Sequence, residues 1–256
     1  RRYLGRRSGL ARVALARLAE LGDELDDALE PPLEEETETA PAAGEPDGAT
    51  EASAPEPRVP LNTQRHEAVL QALVDLGATS VIDLGCGPGH LLAELVRIPQ
   101  LTRVAGCDVS ARALQYAGRR LHLDRLSERQ AERITLFQGA LTYEDERFAG
   151  FDAAVLMEVI EHVDESRLPA LERVVFGAAR PRLVLVTTPN SDYNVYYPQL
   201  TGMRHADHRF EWDREQFAAW SERVATAYGY AVSRRGIGAV DAEHGSPTQL
   251  AVFVRG

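Results

Sequence analysis

Seven residues, Asp83-Leu84-Gly85-Cys86-Gly87-Pro88-Gly89, constrain the fold more than any other stretch of the chain. They lie between an apolar run at 80–84, read as a buried strand, and a helix expected at 90–97. Glycines at alternate positions let the turn tighten and let a ligand approach the backbone at the helix start. Strand, glycine loop and helix in that order predict an α/β sheet whose ligands sit beyond the strand ends. The flanking pattern agrees: helices are expected at 63–76, 111–121, 166–178 and 214–228, and strands at 103–107, 134–138, 151–157, 182–186, 230–234 and 249–254. Such alternation, closing in what reads as an antiparallel pair, predicts a Rossmann-like α/β fold: a seven-stranded, mostly parallel sheet with helices on both faces.

Composition divides the chain into three. Residues 1–28 open with a basic cluster and continue as an amphipathic helix along Leu10, Val13, Ala14, Leu18, Leu21 and Leu25, expected to be the remnant of an upstream domain. The start at Arg1, without Met, points to a fragment of a longer protein. Residues 29–60 are acidic and Pro-rich with little to bury, which predicts a flexible linker. The catalytic domain is expected at 61–256. The formal charge of −11 misleads, because 14 acids and no base lie between Glu20 and Pro57. Without them 28 basic residues face 25 acids, a balance that can approach a phosphate backbone. All 28 basic residues are Arg, so mechanisms that need a lysine amine are excluded, among them P-loop phosphate binding, Schiff-base chemistry and lysine-based cap 2′-O-methylation. Cys86 and Cys107 are too few for a zinc or disulfide framework; they read as packing residues and suit a reducing cytoplasm. No apolar run approaches the ~20 residues of a membrane span, and no signal peptide is visible, so no membrane association is expected.

The form D-x-G-x-G-x-G differs from the dinucleotide fingerprint and resembles the first motif of methyltransferases that bind S-adenosylmethionine (SAM). Asp83, Gly85, Gly87 and Gly89 are therefore expected at the cofactor. Asp108 ends the next strand about 20 residues on, where an acid can accept both ribose hydroxyls of an adenosine. Its bland alternative is a helix N-cap before Ser110. Gly139, Ala140 and Leu141 follow the third strand, where such folds meet the adenine ring.

Glu158-Val159-Ile160-Glu161-His162 follows the apolar run at 151–157. If it turns into helix, Glu158, Glu161 and His162 share one face, a set that suits a borderline divalent cation; the alternative is a solvated helix surface. A long loop at 191–208 carries Tyr193, Tyr196, Tyr197, Arg204, His205 and His208, and loops of that length inside a domain are usually functional.

Three separated segments make a more specific resemblance: Glu158 to His162; Thr187-Thr188-Pro189-Asn190 with Tyr193-Asn194; and Asp207-His208-Arg209-Phe210-Glu211-Trp212. Together they resemble the 3′-terminal RNA 2′-O-methyltransferases of the Hua-enhancer family, whose bacterial branch also shows the pattern of Gly245 to Phe253. The likeness covers 61–253. It implies that Glu158, Glu161, His162 and His208 are metal ligands and the catalytic set, with Mn²⁺ first and Co²⁺, Fe²⁺ or Mg²⁺ as alternatives. It implies SAM as methyl donor, an RNA with a free 2′,3′-diol as acceptor, and, for the full-length protein, a kinase-phosphatase-ligase partner in RNA repair. The general base stays open. A small-molecule O-methyltransferase is the competing reading, since the Glu158 segment alone occurs in such enzymes; an inert RNA-binding domain is a third. His66, His90, His122 and His244 read as surface or packing histidines, Trp212 and Trp220 as core, and Arg129 and Arg133 as surface. His205 is taken to be near the metal in sequence only, while Arg204, Arg209 and Tyr193 are either RNA contacts or solvated loop residues.

Overall fold

The computed structural model describes residues 59–197, 200 and 202–256. The expected N-terminal helix, and all but the last two residues of the expected linker, lie outside the described residues. Helix α1 (Leu61–Asp75) leads into β1 (Ser80–Leu84), α2 (His90–Leu95), β2 (Arg103–Asp108), α3 (Ala111–Arg120), β3 (Ile134–Gln138) and β4 (Ala153–Met157). Then come α4 (Leu168–Glu172), β5 (Leu183–Pro189), α5 (Arg214–Tyr228), β6 (Tyr230–Ile237) and β7 (Thr248–Arg255). The seven strands form one sheet in the order β3-β2-β1-β4-β5-β7-β6, parallel except for β7, which runs antiparallel to both β5 and β6. The chain builds outward from β1 through β2 to β3, then returns to place β4 on the other side of β1. Ligand crevices open at such a reversal, beyond the carboxyl ends of β1 and β4.

Period-two alternation splits the apolar residues between the two faces. Val81 packs with Val69, Leu73 and Leu92 under α1 and α2, whereas Ile82 and Leu84 join Phe176, Phe217, Trp220 and Phe253 on the opposite side. β5, buried along its whole length, is the central strand its unbroken apolar run predicted. Helix α5 has the clearest local signals: Asp213 and Gln216 form a reciprocal capping box, and Gly229 ends the helix at φ 75°. Trp212 and Trp220 are core, as expected, with ring centroids 5.6 Å apart and Trp220 Nε1 donating to the buried Glu172. Among the described residues no helix is long and apolar enough to cross a membrane.

Three expectations are corrected. Residues 158–162 do not continue as an α-helix: Glu158 takes a left-handed φ of 54°, and only a short 3₁₀ turn, Ile160–His162, follows. The helix expected at 166–178 is α-helical over Leu168–Glu172 and continues as a π-helical stretch, Arg173–Ala179. Arg133 is a clamp rather than a surface residue, since its guanidinium donates to the carbonyls of Leu101 and Ile98 and satisfies the end of the α2–β2 connection.

Candidate active site

A cavity of about 590 Å³ opens at the reversal point. One half is made by the glycine loop. Gly85 and Cys86 both donate their amides to the Cys107 carbonyl, at 2.7 and 3.0 Å, which ties the loop to the end of β2. Gly85 has φ 88°, and a Cβ there would stand 2.7 Å from Val159 Cγ2, so its bare backbone lets the segment after β4 pack against the loop. Asp83, Gly85, Gly87, Asp108, Gly139, Ala140 and Leu141 all line the cavity, as the sequence predicts for a cofactor wall. Asp108 Oδ2 accepts the Gly87 amide at 2.9 Å and Oδ1 the Ser110 amide at 2.7 Å. It braces the loop rather than capping α3, whose cap is Ser110 Oγ.

Gly89, expected at the cofactor, does not line the cavity. It begins α2 at φ 81°, and a Cβ there would lie 2.8 Å from Ala117 Cβ, so this glycine serves the packing of α2 on α3. His90, read as a surface or packing residue, does line the cavity. His66 is the packing histidine expected, buried with Nδ1 2.5 Å from Glu94 Oε1. The two cysteines are buried and free; burial, then the nearby aspartates, pushes the Cys107 thiol up to about 12 and Cys86 higher still. They are un-ionised packing groups near neutral pH, as the sequence suggested.

The other half carries the imidazoles. His162 and His208 lie with ring centroids 4.9 Å apart. His205 stands 5.9 Å from His162 and 5.6 Å from His208. A ring nitrogen of each lies within 4.8 Å of those of the other two, so the reading of His205 as near the site in sequence only is wrong. No carboxylate joins this group among the described residues. Glu158, at the cavity wall, is held by the buried Arg65 at 3.1 Å and accepts the Thr187 hydroxyl at 2.7 Å. Glu161 is fully buried: Oε2 accepts the Thr188 hydroxyl at 3.1 Å, while Oε1 has no hydrogen-bond partner. Burial, then the Glu158 charge, raises its pKa well above the usual carboxylate range. His162 keeps an exposed edge, yet the packing around its ring, followed by His208 and His205, lowers its pKa to about 4. Of the sequence-predicted quartet the structure brings the two imidazoles into contact, while Glu158 and Glu161 are engaged with Arg65, Thr187 and Thr188.

The loop bearing His205 and His208 is positioned by polar contacts that sequence reasoning missed. Buried Glu211 accepts from His208 Nδ1 at 2.7 Å, from the Asn194 amide and from the Arg204 backbone. Burial alone would raise this carboxyl, but those three donors outweigh it and hold the pKa below the usual range. Arg204 is half-buried and engaged by the protein rather than a free loop residue. Its guanidinium donates to Asn194 Oδ1 and to the carbonyls of Pro247 and Asn190, and stacks over Tyr197. Tyr193 is buried too, whereas Arg209 is exposed beside the cavity, 3.7 Å from Asp164. The Arg209 amide donates to the Glu161 carbonyl at 2.7 Å and joins the loop to the segment after β4. The polar start of β7 completes the frame: Thr248 accepts from Arg65, and Gln249 donates to the Trp212 carbonyl. Glu211 has a local signal, three residues beyond His208. Arg65 has none, because only the fold brings α1 to Glu158.

Comparisons with known proteins agree on the class. A family model described as a methyltransferase domain matches residues 82–182. The small RNA 2′-O-methyltransferase of Rattus norvegicus is 37% identical over 204 residues, covering 77% of this chain and 51% of that protein, so the chain spans about half the length of that curated relative. A crystal structure of the methyltransferase domain of bacterial CtHen1 is 48% identical, covers 76% of this chain and 99% of that one, and superposes with a TM-score of 0.70. A crystal structure of the small RNA methyltransferase HEN1 is 31% identical, with 83% of this chain and 27% of that one covered and a TM-score of 0.70.

Proposed function

Because the chain belongs to the family of Hen1 methyltransferase domains, we infer that it transfers the methyl group of SAM to the 2′ hydroxyl of the 3′-terminal nucleotide of an RNA. The observation that carries this reading is one cavity that joins a glycine-loop wall suited to an adenosyl ligand with a cluster of imidazoles. Asp108 gives one lone pair of Oδ2 to the Gly87 amide of the loop and one of Oδ1 to the Ser110 amide at the start of α3, and an ionised carboxylate retains capacity for a ribose diol.

The donor chemistry fits a divalent cation at Glu158, Glu161, His162 and His208. A buried carboxylate with one oxygen unpartnered is costly, and a cation offsets that cost. His208 has the carboxylate-backed imidazole common among metal ligands, with Glu211 behind it. A mixed oxygen and nitrogen set suits Mn²⁺, Fe²⁺ or Co²⁺ better than Mg²⁺, which prefers an all-oxygen shell, and Mn²⁺ is the ion proposed. Bound there, such an ion supplies Lewis-acid polarisation of a ribose hydroxyl. The chain's own part is to hold its donors: Arg65 and Thr187 fix Glu158, Thr188 fixes Glu161, and Glu211 keeps the His208 proton on Nδ1. A role in RNA repair, with a kinase-phosphatase-ligase partner for the full-length protein, extends the same reading; co-purification of the two full-length proteins tests it.

The central test is methyl transfer from labelled SAM to a short RNA. A free 3′-terminal diol is expected to be methylated, and 3′-phosphate, 2′,3′-cyclic-phosphate and DNA ends to fail. Chelator is expected to abolish transfer and Mn²⁺ to restore it. Methylation of internal positions, full activity in chelator, or transfer to small phenols in preference to RNA would overturn the reading.

A further inference from the structure

The three imidazoles of the cluster are not equivalent: Glu211 sets His208 and the backbone of Asp207 sets His205. His208 Nδ1 faces Glu211 Oε1 at 2.7 Å; a carboxylate only accepts, so Nδ1 bears the proton and Nε2 presents a lone pair. His162 stands edge-on to His208, with ring centroids 4.9 Å apart. His205 is the reverse of His208. The Asp207 N–H, whose direction is set by the planar peptide, donates to His205 Nδ1 at 3.1 Å. In the neutral ring the proton then sits on Nε2. A cation could use His205 only by displacing that backbone bond or that proton.

We propose that His205 is not a third metal ligand but a hydrogen-bond donor to the 3′ oxygen of the terminal ribose, and so a specificity-determining residue for RNA ends with a free diol. The inference rests on the function proposed above. The ring lines the cavity, and one of its nitrogens lies within 4.8 Å of a ring nitrogen of His162 and of His208, so the ring borders the space where a terminal diol would meet the cation. The choice between the two ribose oxygens follows from the chemistry. An N–H on the attacking 2′ oxygen would draw on the lone pair that must form the new bond to carbon. The 3′ oxygen stays unreacted, and a donor there orients the ribose without opposing attack.

The experiment uses His205→Ala and His205→Gln, with Mn²⁺ affinity read by electron paramagnetic resonance of the free ion. Binding of two short RNAs, one with a 2′,3′-diol end and one with a 3′-deoxy end, is measured in parallel. Mn²⁺ affinity is expected to stay unchanged in His205→Ala, which also shows that the loop still folds. Binding of the diol-ended RNA is expected to fall about tenfold, the worth of one well-made hydrogen bond. The 3′-deoxy RNA should bind both proteins alike, and His205→Gln, whose amide N–H can replace the imidazole donor, should recover the diol preference. A tenfold loss of Mn²⁺ affinity in His205→Ala would make His205 a ligand and overturn the proposal. So would an undiminished diol preference in an active His205→Ala enzyme. If the wild type itself neither binds nor methylates RNA ends, the proposed function is what fails, and this inference with it.

Discussion

The two halves of the cavity are built from different material. The glycine-loop half is mostly backbone: amides of Gly85, Cys86 and Gly87 tied to Cys107 and Asp108, carried on the ends of buried parallel strands. The histidine half is mostly side chain, on a loop that depends on Glu211, Arg204, Asn194 and Asn190 for its shape. A backbone-built wall tolerates the loss of one side chain, because strand pairing still holds it. A side-chain-built wall fails piece by piece as partners are removed. That difference sets the order of the expected effects.

The largest belongs to His208. Replacing it with Ala removes a lone-pair imidazole that Glu211 orients, and leaves the buried Glu211 carboxylate without one of its donors. Mn²⁺-dependent methyl transfer is expected to fall by more than about a hundredfold, beyond the 10–100-fold typical of supporting groups. SAM binding, measured by titration calorimetry, should be retained. Loss of both together would show that the two halves are one mechanical unit, contrary to the comparison.

Asp108→Ala attacks the other half. It removes an acceptor to which a ribose diol would donate, each charge-assisted bond being worth about 1.5–3 kcal/mol. SAM affinity should drop roughly 10- to 150-fold, while Mn²⁺ affinity stays put. Unchanged SAM binding would sink the assignment of Asp108. Glu211→Gln comes next, because it keeps the shape of the side chain but removes the charge behind His208. A loss of about tenfold in Mn²⁺ affinity is expected, at the low end for a group that orients a ligand. No loss at all would mean that Asn194 and Arg204 hold the loop without it.

The same contrast explains what could be read in advance. The glycine wall was legible because its constraints are local: alternate glycines after a strand, and an acid at the end of the next one, fall into place once the alternation of strands and helices is seen. Gly89 alone of the residues expected at the cofactor stands off the cavity, since its spacing fits the cofactor motif while its missing Cβ serves Ala117 across a helix contact. In the histidine wall the presence of His162 and His208 at the cavity was legible and the geometry was not. A helix after Glu158 is what the i, i+3, i+4 spacing suggests, but the left-handed turn at Glu158 and the packing of Val159 on Gly85 send the chain elsewhere. Arg204 looks like any loop arginine in sequence, because its acceptors are carbonyls contributed by Asn190 and Pro247, which only the fold gathers. Arg65 shares that fate with its partner Glu158.

The smallest expected effect probes how tightly the backbone wall is packed. Gly139 lines the cavity after β3, and a Cβ there would lie 2.8 Å from Cys107 Sγ and 3.3 Å from Phe148 Cζ. The methyl of Gly139→Ala must therefore push a buried sulfur or a buried ring, an overpacking cost of about 1 kcal/mol, at the lower end of such insertions because one methyl is the smallest that can be added. Cys107→Ala removes the sulfur instead and leaves a small void, with a cost of similar size. Combined, the two changes exchange one group for the other in nearly the same space, so the double mutant should be less destabilised than the sum of the singles, by a coupling of about 0.5–1 kcal/mol. Denaturant unfolding of the four proteins measures this, with a rise in SAM affinity from Gly139→Ala to the double mutant as the functional counterpart. Strict additivity would mean that the wall yields around residue 139, and that the glycine-loop half is softer than its strand-borne amides imply.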